Sequence, residues 1–265
     1  MAGRLIKRGV NPSPLVVCVT GVIALLLVPV FVLIVFSFNA DRFPSLPWRG
    51  TTLSWYQSAL SNSDLVASIV TSLKLTALVT ATCLVLGSAA AWGILRMRTS
   101  LALLFGAIIS LPFLVPAVLL GLALRMASLY FPAISPEVRL VVAHTLVFSP
   151  LVFALVYAHL GPTARQLELV AQDLGCSPVQ AIWWVHLPLT GRVLAGAGLL
   201  VFVLAWDEFI LSWMLLNLDV TLPVRIWGMM EASISPEINA VGTLVLASTV
   251  SVLFIAMRLL TRNDT

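Results

Sequence analysis

Two adjacent carboxylates, Asp207 and Glu208, fall inside a long apolar run, and one ammonium, Lys74, falls inside another. A charge near the bilayer centre costs about 2.5 to 3.5 kcal/mol on insertion scales, so such side chains normally face a bundle interior or a water-filled path. Carboxylates placed there could offset the dehydration of a cationic solute, and Trp206, Trp213 and Trp227 could add ring faces for cation–π contact. Two structural readings compete with this one. The acids could pair with Lys74 or Arg225, and the tryptophans could be interfacial anchors. Successive helical residues point about 100° apart, so at most one of the two acids would face a central axis. Other chemistry finds little support. His144, His159 and His186 lack metal-ligand spacing, and Cys18, Cys83 and Cys176 form no C-x-x-C pair. His144 with Ser149 is not accompanied by a nucleophile elbow, and no phosphate-binding loop is present. The expectation is a chain with no catalytic residue, no metal site and no bound cofactor.

The elements that must position Asp207, Glu208 and Lys74 follow from composition. Of 265 residues 60% are hydrophobic and 10% charged, against roughly 25% charged in soluble domains. Fifteen basic and eleven acidic side chains cannot clothe a soluble surface of this size. That excludes ordinary soluble enzymes and nucleic-acid binders, and a net charge of +4 on a membrane protein reads as cytoplasmic loops. Apolar runs at Leu15–Phe36, about Leu65–Leu95, Leu101–Leu124, Val138 to about Leu160, Val193–Leu216 and Ile238–Leu260 predict six transmembrane helices. The first follows Arg4, Lys7 and Arg8 as in a signal peptide, but it is long enough for the whole hydrocarbon core and no small-residue cleavage site follows it. The fold class expected is all-α and polytopic, a single transmembrane domain over 1–265 with its core at about 64–260. Alternating loops then place Arg4, Lys7, Arg8, Arg96, Arg98, Arg165, Arg192, Arg258 and Arg262 on one side, and Arg42, Arg49, Arg125, Arg139 and Arg225 on the other. The first side, with both termini, is expected to be cytoplasmic. At the outer ends of the fourth and sixth runs, Ile134-Ser135-Pro136-Glu137 and Ile234-Ser235-Pro236-Glu237 repeat a helix start of Ser cap, Pro in the first turn and Glu at the positive dipole end.

The long inner segment 161–192 reads as helix, break, helix. Thr163–Leu174 form one piece, Gly175 can take the left-handed closing position, and Ser177-Pro178 cap a second piece running to about Val185, which Leu187-Pro188 should stop. Leu169, Ala171, Leu174, Ile182, Trp183 and Trp184 need burial, either on the protein's own helix ends or on a partner.

Leu169-Val170-Ala171-Gln172-Asp173-Leu174-Gly175, followed ten residues after the glycine by Val185-His186-Leu187-Pro188, resembles the E-A-A-x-x-x-G-x(9)-I-x-L-P cytoplasmic motif of ABC importer permeases. The leading glutamate position holds Leu169, Glu168 lies one position earlier, and Val170 replaces the first alanine. Trp206-Asp207-Glu208-Phe209, Leu222-Pro223-Val224-Arg225-Ile226-Trp227 and Ile234-Ser235-Pro236-Glu237-Ile238-Asn239-Ala240 look like the C-terminal half of spermidine/putrescine-type permeases, and Thr71-Ser72-Leu73 looks like the start of their core. The resemblance implies a type I importer permease fold and a bacterial inner-membrane location. It implies coupling to an ATPase through Glu168, Leu169, Ala171, Asp173, Gly175, Val185, Leu187 and Pro188, with His186 a contact residue, and a substrate path involving Asp207, Glu208, Trp206 and Lys74. It further implies a second permease subunit, two ATP-binding subunits that use ATP and Mg, and a periplasmic or lipid-anchored binding protein. Polyamines are the cargo it favours, with iron or an amino-acid-like solute as alternatives. Specificity could also lie almost wholly in the binding protein. A stand-alone secondary transporter, which would not need 161–192, is the reading from another class.

Overall fold

The computed structural model describes residues 14–41, 47–216, 220–232 and 235–261. Arg4, Lys7, Arg8, Arg42, Ile234 and Arg262 lie outside the described residues, as does the side chain of Arg258. Among the described residues the structure is helical, with one isolated antiparallel bridge between Asn39 and Thr51. In chain order the helices are α1 (Pro14–Phe36), α2 (Ser54–Ser61), α3 (Ser63–Ile94), α4 (Thr99–Leu114), α5 (Ala117–Ala127), α6 (Pro136–Asp173), α7 (Pro178–Ala181), α8 (Leu187–Trp206), α9 (Ile210–Leu215), α10 (Leu222–Ala232) and α11 (Pro236–Thr261). A π-helical turn, Ile182–His186, joins α7 to α8. Four described helices are long and apolar enough to span a membrane, or five if the pair α4 and α5, bent by 92°, is taken as one broken span. The sixth expected run falls on α11, which is not among those spans by its described residues.

Local chemistry explains the helix ends. Asn62 caps α3, its side-chain oxygen accepting from the Asp64 and Leu65 amides, and Ser135 caps α6 by accepting from Val138 N. Two of the expected runs, the third and the fifth, are broken, and the fourth ends at a kink at its expected boundary. Pro116 pushes Val115 into an extended conformation (φ −78°, ψ 127°), because the residue before a proline is disfavoured in the α region. The third run therefore becomes two short helices. Gly161, before Pro162, takes φ 54° and ψ −171° and kinks α6, separating its apolar half from the segment Thr163–Asp173. The fifth run breaks at Asp207 (φ −92°, ψ 0°).

The expectation that Leu187-Pro188 ends the inner helix is also corrected. The ladder widens into the π turn, with Leu187 N bonding Ile182 O, so the proline's missing N–H is absorbed at the start of α8 and the helix continues.

The chain divides into two units, Met1–Ala59 with Ser233–Leu246, and Leu60–Ala232 with Ala247–Thr265. In the first, Trp55 Nε1 donates to Asn39 O at 2.8 Å, Ser37 and Tyr56 share a hydroxyl bond of 2.6 Å, and Leu33 packs over Gly242. The second is built on α3, α6 and α8, whose core holds Val79, Cys83, Ala91, Val152, Val156 and Val201. Since lipid is as apolar as these side chains, close packing and small residues hold such helices together. Gly87 shows how close: a Cβ there would lie 2.6 Å from Val152 Cβ and 2.8 Å from Ser149 O.

Candidate functional site

The segment 161–192 forms a helical hairpin closed by a glycine turn. Gly175 has φ +92°, with its N–H bonding Gln172 O at 2.9 Å and Cys176 N bonding Ala171 O at 3.0 Å. This is the paired Schellman closure, which needs a residue in the left-handed region. Ser177 then opens α7 with a full capping box: it accepts from Gln180 N while Gln180 Oε1 accepts from Ser177 N at 2.7 Å. The spacing of Gly175 and Ser177-Pro178 thus sets a tight, defined turn.

The hairpin displays apolar groups. Leu174 is 82% exposed, Trp184 75%, Trp183 64% and Val179 64%. Leu169 and Val170 are exposed beside them, as are Asp173 and Pro188, while Ala171, Val185 and Leu187 are half-buried. Glu168 and His186 are fully buried. His186 is therefore not on the exposed face.

Beneath that face the Glu168 carboxylate gathers four donors: Arg96 Nε at 2.7 Å, Arg165 at 3.0 Å, Gln172 Nε2 at 3.1 Å and His186 Nε2 at 3.2 Å. An ionised carboxylate only accepts, so His186 carries its proton on Nε2. Burial alone would push the carboxyl pKa up; the bonds from Arg96, Arg165 and His186 outweigh it and hold Glu168 below the usual carboxylate range. His186 also stacks on Trp92 of α3 with ring centroids 6.0 Å apart.

The second region is the break in the fifth span. Glu208 turns back onto α9, accepting from Leu211 N at 2.9 and 3.0 Å and from Ser212 N at 3.2 Å. It also meets His144 Nε2 at 3.0 Å. Glu208 is thus the capping group of a short helix and the partner of a buried histidine. Asp207 ends α8 and is exposed. The 100° argument fails here because the two acids do not share a continuous helix. Trp206 is half-buried and stacks with Phe202 at 6.3 Å, while Phe209 lies 6.2 Å from Trp213 and 5.5 Å from Trp227. Lys74 is exposed on α3. Arg225 pairs with Asp64 at 3.8 Å and donates to Ser68 at 3.2 Å. Leu222 N, at the start of α10, donates to Ser72 Oγ at 2.7 Å.

Sequence reasoning missed Arg96 and His144 as site residues. Arg96 read only as a topology marker, since its partner lies 72 residues away. His144 carried no local signal of its bond to Glu208.

No family model matches the chain. The spermidine/putrescine transport system permease protein PotC of Escherichia coli (strain K12) is 30% identical over an alignment covering 100% of this chain and 97% of the relative. The chain belongs to the PotC family of ABC transporter permeases. The putrescine transport system permease protein PotI of the same organism is 26% identical over 96% of this chain and 92% of its own, and PotC of Haemophilus influenzae is 25% identical over 92% and 94%. A bacterial ABC transporter involved in the import of the acidic polysaccharide alginate superposes at a TM-score of 0.76, covering 95% of this chain and 96% of its own at 14% identity. That likeness shows the fold. The permease is a multi-pass inner-membrane protein and a non-catalytic subunit of an ABC import complex, and ATP hydrolysis belongs to another subunit.

Proposed function

We propose that this permease imports a polyamine such as spermidine or putrescine, pairing with a second permease subunit around the pathway. Two ATPase subunits, which use ATP and Mg, dock on the hairpin 161–192 from the cytoplasm. A periplasmic or lipid-anchored binding protein delivers solute at the outer face, and both termini lie inside. The observation that carries the docking reading is the exposed face of Leu174, Val179, Trp183 and Trp184 around the Gly175 turn of the hairpin, an apolar patch of the kind that marks a protein interface. Leu169, Ala171, Asp173, Gly175, Val185, Leu187 and Pro188 shape or flank that face, and ATP-driven closure of the ATPase pair would move it.

The cargo reading is supported by the broken fifth span. Irregular backbone within a span is tolerated where it lines a cavity, and the C-terminal end of a broken helix carries the negative end of its dipole. Here that end is α8, and Asp207 adds a full charge to it. Trp206 and the rings around Phe209 supply faces for an alkylammonium, and exposed Lys74 would repel one and bias its route. The assignment is tested by uptake in proteoliposomes holding the complete complex and its binding protein, with polyamines, amino acids and inorganic ions offered in turn. Saturable, ATP-dependent uptake of spermidine or putrescine is expected. Strong uptake of a non-polyamine alone rejects the cargo, and loss of ATPase subunits from Trp184→Ala is expected if the hairpin is the docking face.

A further inference from the structure

The motif's glutamate is displaced by one position, and a one-residue shift on a helix rotates a side chain by about 100°. That rotation changes what the residue can reach. Leu169, at the expected position, is exposed, while Glu168 is 0% exposed and spends both oxygens on groups of this chain. It has no free face for another subunit. Its donors come from three places: Arg96 just beyond α3, Arg165 and Gln172 on the cytoplasmic half of α6, and His186 at the end of the π turn that leads into α8.

We infer that the buried Glu168 carboxylate, held by Arg96 and His186, is a positioning joint that locks the hairpin to α3, so that movement of the docking face is delivered to the outer end of that helix. On the cytoplasmic side the joint ties three segments together, and the Trp92 ring of α3 stacks with His186 at 6.0 Å between centroids and 25° between planes. On the membrane side Gly161, with its left-handed φ, separates the hairpin from the spanning half of α6. The break at Gly161 interrupts the direct helical connection to the spanning half of α6, and the joint bonds the hairpin to α3. That helix runs 32 residues, roughly 48 Å. Its far end carries Ser68 and Ser72, which bond Arg225 and Leu222 N of α10. The two ends of α3 are thus both fixed by specific polar contacts, the inner one to the hairpin and the outer one to α10. This rests on the docking reading above, and the residues act through others: Glu168 touches neither solute nor ATPase.

The test uses the complete reconstituted complex with Glu168→Gln and Arg96→Gln, measuring ATPase-subunit retention, uptake per ATP hydrolysed, and the ATP-dependent emission change of a fluorophore on Val66→Cys at the outer end of α3, in a background with Cys18 and Cys176 replaced by serine. Both variants should retain their ATPase subunits while uptake per ATP falls at least tenfold and the Val66 signal is lost. If Glu168→Gln does not accumulate, Arg96→Gln decides, because Arg96 is a third exposed and its loss leaves Glu168 with Arg165, Gln172 and His186. Uptake per ATP within twofold of wild type, or release of the ATPase subunits from either variant, overturns the joint. Retention of the ATPase by Trp184→Ala would instead count against the docking reading.

Discussion

Asp207 and Glu208 are neighbours with opposite expected responses to mutation. Glu208→Ala removes the acceptor for Leu211 N, Ser212 N and His144 Nε2 from a side chain only 13% exposed. Hydrogen bonds to a charged group are worth about 1.5 to 3 kcal/mol each, and breaking a buried pair by removing one partner costs about 3 to 5 kcal/mol. These are not additive within one network, and α9 is only six residues long, so the lower end, about 3 kcal/mol, is the working figure. For a chain of this size about 1 kcal/mol moves Tm by about 2 to 4 °C, giving a fall of about 6 to 12 °C. Asp207→Asn touches an exposed group and should stay within about 2 °C of wild type, while uptake of a polyamine falls at least tenfold. Thermal unfolding of the purified permease, followed by tryptophan fluorescence, is run beside the uptake assay. The reasoning is refuted if Glu208→Ala melts with wild type, or if Asp207→Asn is destabilised as far as Glu208→Ala.

Gly87→Ala places a Cβ 2.6 Å from Val152 Cβ and 2.8 Å from a backbone oxygen, so it should cost about 1 to 3 kcal/mol, read as a lowered Tm. Gly175→Ala meets no atom but forces a φ of +92°, costing about 1 to 2 kcal/mol; reduced ATPase co-purification with a Tm lowered by a few degrees is the expected result. Glu168 has its folded pKa held below the usual carboxylate range by Arg96, Arg165 and His186, so its stabilisation is fully present above the unfolded carboxylate range and is lost as pH falls through the folded value. The Tm gap between wild type and Glu168→Gln should be constant from about pH 7 to 5 and close below about 4.5. A gap that widens on acidification would contradict it.

Hydropathy made the spans legible because lipid selects composition over long stretches, and α1 and α3 begin and end within two residues of the expected Leu15–Phe36 and Leu65–Leu95. The hairpin turn was legible for a different reason: Gly175, Ser177 and Pro178 each answer a local backbone demand. The breaks were not. A bent pair such as α4 and α5 is as apolar as a straight helix, and what holds α5 in place is distant: Gly121 lets it lie against Met214 and Leu211 of α9. Pro188 signals a stop by every local rule, yet the π turn takes it in. The Glu168 cluster was illegible because Arg96 and His186 approach it only when α3, α6 and α8 assemble, although the one-position shift of the glutamate was visible from the start.

The π turn has a mechanical consequence. Because it carries the chain from α7 into α8 without a loop, Pro178–Trp206 is one 29-residue helix reaching from the exposed hairpin into the span, roughly 43 Å long. There is no slack between its ends. Tilting such a lever by about 10° about its inner end would sweep the other end, beside Asp207, through roughly 7 Å, more than a full helical turn's rise. Gain of this kind is set by helix length alone, so inserting residues that loosen the π turn would lower the travel at Asp207 without altering any group that touches solute.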